Sequence, residues 1–221
     1  MIVLHTTRYG DTSLIIHGYT RDNGRESFLL RGVGKSSKKG DKRHSTALLH
    51  PLSILDAVTT ENRLGKIGYI REFSSAARLD SIRSDISKSG IAQFLSEFLY
   101  KCLRESIPDA QMHDFIVRSI LTLETLEKPF ANFHILFLMR FAEISGFPPV
   151  HGFEKEFDPF DSAQKAVLAA ISHLSTEEAM KLPLTGSMRS DLSEALIQYI
   201  GFHLGLHLEI LSSRVLHAIF S

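Results

Sequence analysis

The spacing of apolar positions changes part-way along the chain. Up to Leu79 the apolar runs are short, rich in β-branched residues and separated by turn residues, which is typical of strands. We predict five strands, over residues 2–7, 13–20, 26–33, 48–59 and 64–73. Asn23-Gly24 ends a turn between the second and third strands, so these two are predicted to form a hairpin. Five short strands with few helix signals indicate a small barrel.

Beyond Leu79 the apolar residues recur with the 3.6-residue period of an α-helix. One stripe runs from Ile91 to Leu103 and a second from Phe115 to Leu126, with Asp109 as the expected cap between them. Similar patterns predict further helices over residues 131–145, 162–172, 176–182, 188–204 and 211–220. We therefore predict an α+β protein with two domains, a five-stranded barrel over residues 1–79 and an all-α helical domain over residues 80–221.

The composition is that of a folded globular chain, with 221 residues, 43% hydrophobic and 23% charged. Its formal net charge of zero conceals an asymmetry. Residues 1–79 carry 13 Lys and Arg against 7 Asp and Glu, whereas residues 80–221 carry 12 against 18. Because the local field steers a polyanion more than the total charge does, a front region at +6 and a remainder at −6 indicate different partners.

The segment 34–45, between the third and fourth predicted strands, is rich in Gly, Ser and basic residues. Small barrels commonly bind nucleic acid across one end. The residues predicted to contact nucleic-acid phosphates are Arg8, Arg31, Lys35, Lys38, Lys39, Lys42 and Arg43. Tyr9 and Tyr19 are candidates for stacking on bases, although aromatic residues in so small a barrel more often belong to the core. The alternative is a solvated loop whose charge serves only solubility.

No arrangement of residues typical of an enzyme is evident. The segment around Lys35 is not a phosphate-binding loop, because Leu29 occupies the position of that motif's first glycine. His203 and His207, four residues apart, could hold a metal ion in a metal-dependent enzyme. We favour packed or capping histidines, since Gly205 weakens a helix there. We therefore expect no catalytic activity, no metal site and no cofactor.

The cysteine count and the apolar runs bear on the cellular compartment. Cys102 is the only cysteine, so the chain can form no intrachain disulfide, and we interpret Cys102 as a packing residue. The longest apolar runs, such as residues 133–139, are shorter than the ~20 residues that cross a bilayer, and the first residues lack the basic region of a signal peptide. We expect a cytoplasmic protein without membrane contact.

Several segments resemble the RecO family of DNA-repair proteins. In the barrel region these are Ile2-Val3-Leu4, Tyr9-Gly10-Asp11-Thr12-Ser13, Phe28-Leu29-Leu30-Arg31-Gly32-Val33 and Leu49-His50-Pro51-Leu52-Ser53. In the helical region they run from Leu138 to Phe147, from Tyr199 to Leu204 and from Leu211 to Leu216. Each motif is short, but their shared order across both regions makes the resemblance specific.

The resemblance implies an oligonucleotide-binding (OB) fold for the barrel, followed by a helical domain. It also implies a nucleoid-associated recombination mediator of the RecF pathway, which binds single- and double-stranded DNA and anneals complementary strands. The implied partners are RecR and the acidic C-terminal tail of the single-stranded DNA-binding protein. Many family members carry a four-cysteine zinc site after the segment that matches Gly146-Phe147. Residues 148–161 contain no cysteine, so that metal is not carried over.

An acidic tail that ends in an aromatic residue needs an apolar pocket with a cation at its rim. Arg140 is our first choice for that cation, because it lies beside Phe137 and Phe141 at helical spacing, and Arg118 is our second. The alternative is that Arg140 only pairs with Glu143 or another acid. From a different functional class, the chain could be a protein-interaction adaptor whose barrel binds a partner and whose basic loop is incidental.

Overall fold

The computed structural model of the chain describes residues 1–33, 46–60, 67–150 and 157–220. The chain packs into two compact units, each assembled from two separate parts of the sequence. The barrel unit comprises residues 1–80 and 96–117, and the helical unit comprises residues 81–95 and those from residue 118 onwards. The division into two domains after residue 79 stays a prediction, because the units are defined by packing and not by independent folding.

Five strands form the sheet of the barrel unit: β1 Ile2–Arg8, β2 Ser13–Thr20, β3 Gly24–Arg31, β4 Leu55–Thr59 and β5 Gly68–Ser75. Their order is β1-β2-β3-β5-β4, with β3 and β5 parallel and the other neighbours antiparallel. Among the described residues the ladders do not close into a ring, but Val3 N donates to Ser53 O and Leu55 N donates to Met1 O. The sheet is a partly open barrel, and the predicted α+β class is confirmed.

The predicted hairpin between β2 and β3 is confirmed. The two strands pair along their whole length, from Ser13 opposite Arg31 to Thr20 opposite Gly24. Gly24 follows the turn with a φ of +75°, a conformation that other residues rarely adopt. The Asn-Gly signal in the sequence therefore marks the place where the backbone requires a glycine.

The core of the barrel unit is built from the alternate strand residues that face inward. Ile16 on β2 lies opposite Phe28 on β3, and both are buried. They belong to one apolar cluster, whose members are Val3, Ile16, Phe28, Leu30, Leu49, Leu55, Ile70 and Phe73. This cluster fixes which strand residues face outward, because a shift of register by one residue would move the cluster to the solvent side.

The extent of the predicted fourth strand was wrong. β4 begins at Leu55 and not at residue 48, because Thr46–Leu48 form a single turn of 3-10 helix and Leu52 has a φ of +63°. A positive φ interrupts extended backbone. The intervening segment still packs against β1, where Leu52 N donates to Val3 O at 2.8 Å.

Helices account for most of the remaining described residues. They are α1 Asp80–Ser84, α2 Ile86–Cys102, α3 Ala110–Thr125, α4 Phe133–Ile144, α5 Ser162–Ser172, α6 Thr176–Met180, α7 Gly186–Leu204 and α8 Ser213–Phe220. The predicted helices are confirmed with shifts of a few residues at their ends, whereas α1 was not predicted. The last part of α2 and the first part of α3 belong to the barrel unit.

Local capping explains where several helices begin and end. Asp161 before α5 and Ser175 before α6 each form a capping box with the residue three positions on. Gly205, with a φ of +68°, ends α7. In α4 residues 133–139 are all buried, which explains why this part of the sequence is apolar at every position except His134 and not only along one stripe.

Candidate nucleic-acid interface

An arginine and a tyrosine stack on the outer face of the barrel sheet. Strands β3 and β5 pair in parallel, with Leu29 beside Tyr69. Arg31 lies two residues after Leu29 on β3, so it faces the same side of the sheet as Tyr69. The Arg31 guanidinium carbon lies 4.8 Å from the centre of the Tyr69 ring, and Arg31 Nη2 donates to Tyr69 Oη at 3.2 Å. Tyr69 is 41% exposed, and Arg31 is also exposed. The pair thus presents a positive charge and an aromatic ring to solvent.

Arg8 and Arg31, the two predicted DNA-binding residues in the described part of the chain, lie on opposite faces of the sheet. Arg8 is the partner of Leu14, which packs against the core, whereas Arg31 is the partner of Ser13. Direct partners in an antiparallel pair project to the same side. Both arginines are exposed at the same end of the sheet, but the structure does not bring them into one cluster.

The two tyrosines considered for stacking have different environments. Tyr9, in the turn between β1 and β2, is 60% exposed, and its backbone N donates to Ser13 O at 2.9 Å. Tyr19 is only 1% exposed, and its hydroxyl donates to Asp109 O at 3.4 Å. The stacking hypothesis is therefore wrong for Tyr19, which belongs to the core, and it stays a prediction for Tyr9.

The other five predicted DNA-binding residues lie outside the described residues; they are Lys35, Lys38, Lys39, Lys42 and Arg43. Val33 is the last described residue before these positions, and its N donates to Thr12 O at 2.9 Å. Val33 is thereby held against the turn between β1 and β2, at the end of the sheet that carries Arg31.

The outward-facing residues of β5 were not among the predicted DNA-binding residues. Ile70 is buried in the barrel core, while its neighbours Tyr69 and Arg71 are exposed. The alternation of Gly68-Tyr69-Ile70-Arg71 was the available signal, since alternate residues of a strand face opposite sides. Tyr69 and Arg71 therefore extend the basic and aromatic character of the outer face.

Another arginine of the sheet is held by the protein itself. Arg25 Nε donates to Leu103 O at 2.9 Å, its guanidinium lies over the Tyr100 ring, and it forms an ion pair with Glu105. Burial lowers the pKa of the neighbouring His17, and the charges of His5 and Arg25 act in the same direction. Arg25 thus has a structural role that separates it from Arg31.

The two arginines predicted to bind a partner lie in the helical unit. Arg140, on α4, forms an ion pair with Glu143 at 2.7 Å. This is the contact expected under the alternative that Arg140 only pairs with an acid and binds no partner. The neighbouring rings of Phe137 and Phe141 are buried. Arg118, on α3, is exposed. A partner site at either arginine stays a prediction.

Two histidines were considered for metal binding, and the single cysteine was interpreted as a packing residue. The His203 ring stacks on Phe147 at 4.8 Å and contacts the Tyr199 ring edge to face, whereas His207 is exposed. Cys102 is buried, and burial raises the pKa of its thiol. Within the described ranges, no three His, Cys, Asp or Glu side chains come together as a metal site. None of the described helices combines the length and apolar character of a membrane span.

Comparison with known proteins gives matches along most of the chain. Residues 1–77 match the family model of the recombination protein O N terminal region, and residues 83–151 match that of its C terminal region. The DNA repair protein RecO of Porphyromonas gingivalis W83 is 32% identical over 224 residues, which cover 92% of this chain and 90% of that protein. The chain belongs to the RecO family.

Two further RecO proteins show how the similarity is distributed. The DNA repair protein RecO of Phocaeicola vulgatus is 40% identical over 148 residues, a match that covers 67% of this chain but only 60% of that relative. The RecO protein of Azobacteroides pseudotrichonymphae is 28% identical over 238 residues, covering 99% of this chain and 97% of that relative. In this RecO family member the first family model covers all five strands, and helices α5 to α8 lie beyond the second.

Proposed function

We propose that this RecO family member is a recombination mediator that binds single- and double-stranded DNA through its barrel unit and anneals complementary strands in DNA repair. The relatives bear the name DNA repair protein. The exposed stack of Arg31 on Tyr69, on the outer face of the sheet, supports the DNA-binding part of this proposal most directly.

The stacked pair supplies both kinds of contact that a DNA strand offers. A guanidinium binds phosphate oxygens with paired donors, and an aromatic ring provides a stacking surface that accepts any base. Because Arg31 and Tyr69 hold each other in place, little side-chain entropy is lost when DNA binds. The five basic residues of the segment 34–45 add charge that attracts the phosphate backbone without sequence preference.

Annealing follows from the same surface by electrostatics alone. Two DNA strands repel each other, and a cationic surface that binds both reduces the repulsion and raises the chance of pairing. We propose that the activity needs neither nucleotide hydrolysis, a metal ion nor a cofactor.

The partner contacts are a separate part of the proposal. We propose that the acidic helical region binds proteins, with RecR and the acidic tail of the single-stranded DNA-binding protein as partners and with Arg140 and Arg118 as the residues that meet the tail. We place this function at the nucleoid, in the cytoplasm.

Fluorescence anisotropy with labelled single- and double-stranded oligonucleotides, at several salt concentrations, tests the DNA-binding part. Neutralising Z phosphates gives a slope of log K against log salt of about −0.7Z on single strands. Replacing Lys38, Lys39, Lys42 and Arg43 with Ala should flatten that slope, and Arg31→Gln should reduce its magnitude by about 0.7 for one lost phosphate contact. Tyr69→Ala should weaken binding of single strands about tenfold while leaving the slope unchanged.

Arg78→Gln is the matched control, because this exposed arginine of the barrel unit is paired with Asp80 and lies outside the sheet. Its affinity and slope should equal those of the wild type. If neither the fourfold alanine variant of Lys38, Lys39, Lys42 and Arg43 nor Arg31→Gln changes the salt slope, the barrel is not the DNA-binding surface. Absence of DNA binding altogether would favour the protein-interaction adaptor.

A further inference from the structure

A group of three rings lies against the outer face of the barrel sheet, next to β1 and β2. His5 on β1 is the direct partner of His17 on β2, so the two imidazoles project to the same side. Their ring centres are 5.7 Å apart, with the planes stacked at 24°. The ring of Tyr100, on α2, lies 5.1 Å from that of His5 and 5.0 Å from that of His17. We call these three residues the ring cluster, and all three belong to the barrel unit.

The ring cluster and Arg31 face the same side of the sheet. His17 lies opposite Ser27 on β3, and Arg31 is four residues further along that strand. Residues two and four positions apart on a strand share a face, and four residues at about 3.3 Å each span about 13 Å. Ile15 and Leu29, which are paired and half-buried, lie between the two points. Arg31 and the ring cluster are therefore two ends of one surface, with apolar residues between them.

The two imidazoles keep hydrogen-bonding atoms for a ligand. His17 Nδ1 and Ser27 Oγ are hydrogen-bonded at 2.8 Å, which leaves Nε2 of that ring for another partner. His5 is exposed and His17 is partly exposed. Within the described part of the chain, neither His17 Nε2 nor the ring nitrogens of His5 form a hydrogen bond. A histidine donates from both ring nitrogens when it is protonated, so the pair can bind an anion once it carries a proton.

The permanent charges beside the ring cluster balance each other. Arg25, on β3, lies over the Tyr100 ring at 4.9 Å and forms an ion pair with Glu105 at 3.2 Å. Further charged groups on the elements packed against this end of the sheet also pair among themselves; they are Glu97 with Lys101 on α2, and Arg21 with Asp114 beside His113 on α3. A proton on either imidazole of the ring cluster therefore adds a positive charge that the protein itself does not balance.

His17 binds a proton weakly in the protein alone. Burial lowers its pKa, the charges of His5 and Arg25 act in the same direction, and the charge of Glu105 opposes them. Because a nearby anion favours the protonated form, a phosphate at the ring cluster would raise that pKa. Binding of the anion is then coupled to uptake of a proton, and by reciprocity the proton strengthens binding of the anion.

We propose that the ring cluster is a second phosphate site of the DNA surface, at which His5 and His17 bind one phosphate of a DNA strand together with one proton. The inference rests on the proposed DNA binding and adds to it a contact whose strength depends on pH. The two imidazoles share a single proton, because two positive charges this close repel each other. A strand that contacts Arg31 reaches the ring cluster within about four nucleotides, at about 3.4 Å for each phosphate of a helical strand.

Fluorescence anisotropy of the full chain with a labelled single-stranded oligonucleotide, at pH 7.5 and pH 6.0 and constant ionic strength, tests this site. Uptake of one proton strengthens binding at most tenfold for each pH unit. Between the two pH values, we expect the affinity of the wild type to rise about fivefold more than that of a variant carrying both His5→Gln and His17→Gln. His173→Gln, which removes an exposed histidine of the helical unit, is the matched control and should show the rise of the wild type.

His5→Lys tests the same site from the opposite direction. It places a permanent positive charge at an exposed position, so at pH 7.5 it should bind about as tightly as the wild type does at pH 6.0, and it should depend less on pH. The Tm at both pH values checks that each variant is folded. If the double variant does not fold, unchanged affinity and pH dependence in His5→Lys overturn the inference.

The outcomes separate this inference from the proposed function. An equal rise in affinity in the wild type and in the folded double variant would overturn the second phosphate site and leave the proposed DNA binding intact. Absence of DNA binding by the wild type at both pH values would refute the proposed function, and this inference with it.

Discussion

His134 makes the folded protein sensitive to acid. This histidine of α4 is fully buried, with its ring edge-on to Phe94. Burial lowers its pKa from 6.5 to about 3, and the positive charge of Arg189 acts in the same direction. The folded state therefore keeps His134 neutral at a pH at which the unfolded chain binds a proton. Because protons favour the unfolded state, stability is lost as the pH falls from about 6.5 towards 3.

The size of the effect follows from the two pKa values. Between pH 7 and pH 5 an unfolded histidine with a pKa of 6.5 goes from about one quarter protonated to almost fully protonated, while His134 in the folded state takes up almost no proton. The linkage relation gives a loss of about 2 kcal/mol in the free energy of unfolding over this interval. His17 and His113, whose pKa values burial also lowers, add to the loss in the same direction.

Urea denaturation of the wild type and of His134→Gln, at pH 7, 6 and 5 and constant ionic strength, isolates this residue. The free energy of unfolding of the wild type should fall by about 2 kcal/mol more than that of the variant between pH 7 and pH 5. His173→Gln, which removes an exposed histidine, is the control and should follow the wild type. Identical pH dependence in wild type and His134→Gln would refute the assignment of a buried, neutral His134.

Two further predictions concern the hairpin turn and the proposed partner site. Gly24→Ala should lower the free energy of unfolding by more than the ~1–2 kcal/mol of a left-handed backbone, because the added Cβ would also lie 2.2 Å from Ile107 O. Gly10→Ala, with a φ of +66° but open space around the position, should show only the backbone cost in the same urea titration, and equal losses would contradict the clash. Arg140→Ala should abolish binding of an acidic peptide that ends in an aromatic residue, while the Tm stays within a few degrees of the wild type. Glu143→Gln, which frees Arg140 from its ion pair, should retain the peptide; a large fall in Tm for Arg140→Ala, or undiminished binding, would assign Arg140 to the scaffold.

The features that could be predicted from sequence have local causes. The β2–β3 hairpin depends on Asn23-Gly24, and the start of α3 depends on the predicted cap Asp109, whose Oδ1 accepts from Met112 N at 2.8 Å, so each signal lies within a few residues of its effect. The apolar spacing that distinguishes strands from helices is likewise local. These signals were sufficient for the α+β class and for most helix bounds.

The candidate site depends on contacts that sequence spacing does not specify. Arg31 and Tyr69 are 38 residues apart and meet only because β3 and β5 pair in parallel, a register that the turn signals leave open. For the same reason, the sequence alone does not reveal that Arg8 and Arg31, which we predicted to share one site, lie on opposite faces of the sheet. The burial of His134 depends on helices packing around α4, whereas in the sequence it is one polar residue in an apolar run.

We propose that this RecO family member anneals DNA through its barrel surface. The direct measurement is the rate at which complementary oligonucleotides, labelled with a fluorophore and a quencher, pair at low salt with EDTA present and ATP absent. We expect the wild type and Arg78→Gln to accelerate pairing over the spontaneous rate, and the combined Arg31→Gln and Tyr69→Ala variant to lose most of that acceleration. A wild-type rate equal to the spontaneous rate would contradict the claim, even if DNA binding were retained.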